Sequence, residues 1–188
     1  VSRRAFTLIE LLIVMAIIIV LAGLILATAG YVQKKGYRSR AEAEIAAISA
    51  ALENYKADNG VYPSSADTNA LKPNTMGDPA SASYTNASLA LYKLISGDAD
   101  NSADRSAESK SYFTFKPNQL SPTIQTQPVT CIRDPFGNSY GYSTVKASAP
   151  AGSDGYNPTF DLWSTAGLTT NPPTAGSDTI TPQWIKNW

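Results

Sequence analysis

From Phe6 to Val32 the chain runs for 27 residues with one charge, Glu10, and the basic pair Arg3-Arg4 stands just before it. A bilayer core about 30 Å thick is crossed by roughly 20 apolar residues in a helix. Leu11 to Ala29 supplies 19 such residues in a row, with Thr28 the lone hydroxyl. The length predicts a membrane-spanning helix rather than the shorter apolar core of a secretory signal, about 7 to 15 residues. Ala27-Thr28-Ala29, a small-x-small triplet, keeps a cleaved signal as the competing reading.

Removing the first 40 of 188 residues leaves 148, enough for one small domain. Those first 40 hold six Lys/Arg against Glu10, whereas residues 41 to 188 hold nine Lys/Arg against 14 acids. The expected plan is therefore an anchor and a mildly acidic head, with no nucleic-acid partner. The absence of histidine removes the commonest general base and zinc ligand, so no catalytic residues are assigned and no enzyme is expected. Cys131 is the single cysteine, which excludes an intrachain disulfide and points to a buried structural thiol.

Helical periodicity continues past the apolar run. Ala41, Ile45, Ile48, Leu52 and Tyr55 recur at steps of four, three, four and three, with Glu42, Glu44, Ser49, Glu53 and Lys56 expected on a wet opposite face. Asp58-Asn59-Gly60 supplies a stop and Pro63 prevents resumption. The rest of the chain reads as short strands at Ser111–Phe115, Ser139–Val145 and Thr159–Trp163, with a turn at Asp134-Pro-Phe-Gly-Asn138. Residues 63 to 110 read as a long loop carrying a small helix near Leu89 to Ile95, and 146 to 158 and 168 to 182 as further loops. Asn86-Ala87-Ser88 fits the N-glycosylation triplet, a pattern common by chance.

The segment Arg3-Arg4-Ala5-Phe6-Thr7-Leu8-Ile9-Glu10-Leu11-Leu12 resembles the class III signal of type IV pilins and type II secretion pseudopilins. Tyr55-Lys-Ala-Asp-Asn-Gly-Val-Tyr-Pro63, Asp134-Pro-Phe-Gly-Asn138 and Phe160-Asp-Leu-Trp-Ser164 look like three blocks of the major pseudopilins, in the same order. The resemblance implies an α+β fold in which the long helix packs on a small antiparallel sheet. Its parts would be a leader at 1–5, a membrane and filament-core helix at 6–32, an amphipathic half at 33–60 and a head at 61–188.

The resemblance further implies cleavage by a prepilin peptidase between Ala5 and Phe6, with Ala5 where the family usually has glycine, and N-methylation of Phe6. It implies single-pass insertion in the bacterial inner membrane with the head in the periplasm. Assembly with an inner-membrane platform and minor pseudopilins would then yield a helical homopolymer, with Glu10 pairing to the Phe6 amine of a neighbour. Lys34, Lys35, Arg38 and Arg40 form a basic cluster read either as a phospholipid-facing collar or as inter-subunit ion-pair donors. Local stretching between Ala22 and Gly30 is expected in the assembled state.

Major pseudopilins often bind calcium after the block matching Phe160–Ser164. Here Thr165 to Asn171 contains no acid and Asp178 is the one that follows, so no cofactor is assigned, with calcium kept as an alternative. The competing functions are a type IV pilus pilin for adhesion, motility or DNA uptake and, from another class, a membrane-anchored periplasmic binding module.

Overall fold

The computed structural model describes residues 7–74, 78–152, 154–168 and 183–188. Helix α1 (Leu8–Asn59) lacks proline throughout, and its end is set where Gly60 takes φ +77° and its N–H donates to Lys56 O at 2.7 Å. Glycine adopts this left-handed conformation without a Cβ penalty, which is why the helix stops there. The chain divides into two compact units, one through Tyr37 and one from Arg38 to Trp188.

In the second unit the α1 stripe is covered as its spacing predicts. Ala41, Ile45, Ile48 and Leu52 are buried with Leu91, Ile95, Ile132, Tyr140, Tyr142 and Leu162. Helix α2 (Ala66–Ala70) begins with a reciprocal capping box: Thr68 N–H donates to Ser65 Oγ at 3.2 Å and Ser65 N–H to Thr68 Oγ1 at 2.9 Å. Helix α3 (Ala82–Ser96) supplies Tyr84, Ala87, Leu91 and Ile95 to the interior and ends at Gly97, φ +84°. The expected long loop thus holds two helices, and the piece foreseen at Leu89–Ile95 is the second half of a 15-residue one.

Two small antiparallel sheets complete the α+β head. Strands β1 (Leu120–Ser121) and β2 (Cys131–Ile132) pair with each other, and β3 (Gly141–Ser143), β4 (Asp161–Ser164) and β5 (Ile185–Lys186) lie in that order, with the short helix α4 (Val145–Ser148) after β3. Every residue of β3 and β4 is buried, so neither shows the alternation of a one-sided strand. A second core cluster forms where Trp163 of β4 meets Leu71, Tyr84, Ala87 and Trp184. The Trp163 indole N–H donates to Tyr84 Oη at 2.9 Å, and its ring stacks on Trp184 at 6.1 Å. Trp184 thereby ties this last strand to the second cluster. Cys131 is buried and free.

One expected strand is absent. Ser111–Phe115 forms no ladder because the N–H groups of Tyr112 and Phe113 donate to Ile95 O at 2.8 and 2.9 Å, satisfying the end of α3. Its aromatic rings pack partly buried against the main core.

The assignment of Glu44 to a wet face is also corrected. Glu44 is 8% exposed, accepts the Tyr140 hydroxyl at 2.8 Å on Oε2 and binds Arg40 Nε at 2.8 Å through Oε1. It stands three residues after Ala41 and four before Ile48, inside the buried stripe. Burial and the Glu44 carboxylate together push the Tyr140 phenol up. Tyr140→Phe removes the donor and leaves one buried carboxylate oxygen short of a partner. The expected loss is about 1–3 kcal/mol of stability in a denaturant titration, and an unchanged midpoint would contradict this account of Glu44.

Candidate functional site

The first unit consists of the exposed apolar part of α1 and its polar ends. Leu8, Ile9, Leu12, Ile19, Leu21, Leu24 and Leu26 are all exposed, on every side of the helix, and this stretch is long and apolar enough to cross a membrane. A helix apolar all round is stable in lipid or among other helices, because water has nothing to gain from it. The hydroxyl of Thr28, the polar exception, donates back to Leu24 O and Ile25 O at 3.2 Å each, so it presents no unpaired donor. The helix is continuous through Ala22–Gly30 in the single chain.

Glu10 is held at the N-terminal end of this helix by a neighbour that was not singled out from the sequence. Thr7 precedes the first turn and its carbonyl accepts from Leu11 N–H at 3.3 Å. Its backbone N–H donates to Glu10 Oε2 at 2.8 Å, its hydroxyl donates to the same oxygen at 2.7 Å, and Glu10 N–H donates to Thr7 Oγ1 at 3.3 Å. This is a capping box, and the spacing Thr7-x-x-Glu10 is its sequence signal. It satisfies two helix-end donors and orients the carboxylate toward the amino end of the chain, where the helix dipole favours a negative charge. Ala5 and Phe6 lie outside the described residues.

The basic cluster is divided in its partners. Lys34 and Lys35 are exposed on the first unit. Arg38 Nε pairs with Glu42 at 3.2 Å and its Nη1 donates to Gln183 O at 2.8 Å, while Arg40 belongs to the buried Glu44–Tyr140 network. Both arginines therefore already have partners within their own chain. The spacing Arg38-x-x-x-Glu42 and Arg40-x-x-x-Glu44 carries that pairing in the sequence.

In the head, the turn block is a device of backbone satisfaction. Asp134 Oδ1 accepts the N–H of Phe136 at 3.0 Å and of Asn138 at 2.8 Å, and Oδ2 accepts the Ser164 hydroxyl at 2.5 Å, joining the turn to the end of β4. Burial pushes the Asp134 carboxyl up despite these bonds. Asp161 likewise accepts the N–H groups of Tyr156 and Asn157 at 2.9 and 2.8 Å. Both acids thus serve backbone and hydroxyl donors of the turns that flank β4. Among the described residues, Thr165 to Leu168 after β4 offer no carboxylate, so this part of the loop does not fit a calcium ion. Asp178 lies outside the described residues.

An exposed apolar helix with a capped carboxylate at its start, continuing into the spine of a small α+β head, defines a pilin-like architecture. Residues 2–26 match the family described as the prokaryotic N-terminal methylation motif. Over 62 residues the chain is 39% identical to the type II secretion system core protein G of Pectobacterium carotovorum subsp. carotovorum, covering 33% of this chain and 40% of that relative. No solved structure matches. The protein is type IV pilin-like and, more narrowly, pseudopilin-like.

Proposed function

We propose that this protein is a structural subunit of a type II secretion pseudopilus or a similar pilus-like filament. The observation that carries this reading is the exposed apolar helix with a single carboxylate held at its amino end. In the membrane that helix is a single-pass anchor in the bacterial inner membrane with its head in the periplasm. In a filament the same apolar faces meet those of neighbouring copies, and lipid is exchanged for helix packing at little net cost. Such packing is poor at setting register, because apolar contacts are non-directional. A buried charge supplies it, since Glu10 is stable among helices when a cation lies beside it. The Phe6 amine of the next copy, released by prepilin peptidase and methylated, is that cation. Lys34 and Lys35 face anionic headgroups before extraction. The protein acts by extension rather than by chemistry, so no catalytic group is assigned.

The test is intact mass and N-terminal sequencing of the protein from envelopes and from sheared filaments. N-methylated Phe6 in both fractions is expected. An unprocessed N-terminus in cells that contain the peptidase, or protein confined to the membrane as a monomer when the assembly platform is present, would leave the anchored binding module as the better reading. Short periplasmic filaments favour a pseudopilus, and long surface filaments a type IV pilus.

A further inference from the structure

Ser111–Phe115 has the composition of a strand, and once Tyr112 and Phe113 have given their N–H groups to Ile95 O the next two residues are left over. Among the described residues, neither the N–H nor the C=O of Thr114 or Phe115 makes a hydrogen bond. Lys116 follows in extended conformation, φ −78° and ψ 150°, before the 3₁₀ turn Pro117–Gln119 leads into β1. Successive residues of unpaired backbone act as a sheet edge, open to pairing with another chain.

This stretch forms one wall of a groove of about 550 Å³ whose other wall is α1, from Arg40 through Ala43 to Ala47. Ala43 and Ala47 are exposed and small, so that wall is low and leaves room for a backbone. The step from Arg40 to Ala47 is about 10 Å of helix, the length of about three residues of extended chain. The free polar groups of the groove are donors. Arg40 uses Nε on Glu44 Oε1 at 2.8 Å, and among the described residues its two Nη groups have no partner. Lys116 is exposed and, among the described residues, enters no ion pair. Gln119 is 7% exposed; its Oε1 accepts the Lys116 N–H at 2.9 Å, and its Nε2 donates to no described residue. A buried amide bound at one end and left a donor at the other points to an acceptor from outside. Glu44 also lines the groove, but its two oxygens are engaged by Arg40 and Tyr140, which leaves two cations against one satisfied acid. The head as a whole has the opposite sign, with nine Lys/Arg against 14 acids in residues 41 to 188.

We infer that this groove takes an extended acidic peptide of a partner protein, which adds a strand against Thr114 and Phe115 and lays carboxylates on Arg40, Lys116 and the Gln119 amide. In this mode main-chain hydrogen bonds supply affinity and alternate side chains supply specificity. Side chains two residues apart fall on one face of an extended chain, so acids at alternate positions reach the groove's donors together. The free Nη groups of Arg40 offer a planar pair of donors suited to one carboxylate. A second copy of this chain is the poorer occupant. Its own acidic stretch, Asp98 to Asp104, is tied down by Asn101 on Val129 and by the adjoining Arg105 on the carbonyls of Pro122, Ile124 and Gln127, so it is not an extended segment to offer. The inference is independent of filament assembly.

The experiment is a fluorescence-anisotropy titration of the full chain, in micelles of a neutral detergent, with a labelled and end-blocked pentapeptide Glu-Thr-Glu-Thr-Glu. Saturable binding below about 1 mM is expected, and none of the matching peptide with glutamine for glutamate. Two further acidic peptides carry N-methyl groups, one on its threonine and one on its glutamate nitrogens. Alternate N–H groups of a strand face a given edge, so one of the two should bind at least about tenfold more weakly. Lys116→Gln, confined to an exposed side chain, should weaken the acidic peptide about tenfold with an unchanged circular dichroism spectrum. Gln119→Glu keeps an acceptor for the Lys116 N–H and should abolish binding. No saturable binding, equal binding of the glutamine peptide, undiminished binding of both methylated peptides, or binding untouched by Lys116→Gln would each overturn the inference. So would self-association of the chain that Lys116→Gln abolishes while the peptide fails to bind, which would assign the groove to a second copy.

Discussion

Glu10→Gln should lower the yield of sheared filaments by about two powers of ten or more while the amount of membrane-anchored protein stays near wild type. Glutamine at this position can still complete the capping box with Thr7, so the substitution removes the charge and spares the helix start seen in the structure. Leaving the partner of a buried pair uncompensated costs about 3–5 kcal/mol, and each 1.4 kcal/mol is about a tenfold change in an equilibrium. Losing the cap alone would cost about 0.5–2 kcal/mol, too little to abolish assembly and by a route that Glu10→Gln avoids. Filament counts by electron microscopy, with immunoblots of the membrane fraction, separate the two. Wild-type filament yield from Glu10→Gln would remove the ion pair from the mechanism and leave Glu10 as a helix cap.

Gly141→Ala is expected to destabilise the head by about 3 kcal/mol or more, at the upper end of what overpacking does to a core. Gly141 and Trp163 are directly opposed across β3 and β4, and a Cβ on residue 141 would stand 2.2 Å from Trp163 Cε2. The indole has nowhere to retreat. It is fully buried, its N–H is bound to Tyr84, and its far face lies on Trp184. The measurement is the unfolding midpoint of the full chain in micelles, followed by tryptophan fluorescence. A midpoint equal to that of the wild type would show that the second core cluster repacks freely, against the geometry described. Together the two variants separate functions, since Glu10→Gln spares the head and Gly141→Ala leaves the apolar helix untouched.

In the second unit the parts of the fold that are legible in the sequence are the local ones. The α1 stripe from Ala41 to Leu52, the stop at Gly60 and the turn at Asp134–Asn138 each depend on residues within a few positions of one another, and all three are found where the spacing puts them. Glu44 was misassigned because a charged residue beside an apolar stripe looks solvated until its partner is known, and Tyr140 is 96 positions away. Ser111–Phe115 has strand composition, yet the carbonyl of Ile95 takes its N–H groups before any strand can. Strands β1, β2 and β5 are two residues each, too short for any periodic signal. At the candidate assembly site, Glu10 was evident from its isolation in an apolar run. Thr7 was missed although its three-residue offset is a known capping pattern.

By itself the sequence determined that this chain has an apolar helix of membrane-spanning length with one carboxylate near its start, that the helix continues into an amphipathic spine, and that it ends at Gly60. These are consequences of helical periodicity and of backbone preferences, which act over one or two turns. The tertiary structure alone decided that Trp163 rests against Gly141, that Glu44 is a buried acceptor, and that the N–H groups of Tyr112 and Phe113 go to Ile95 O rather than to a strand. Each of these depends on which distant surfaces meet, because burial and desolvation are properties of the packed pair and not of either residue.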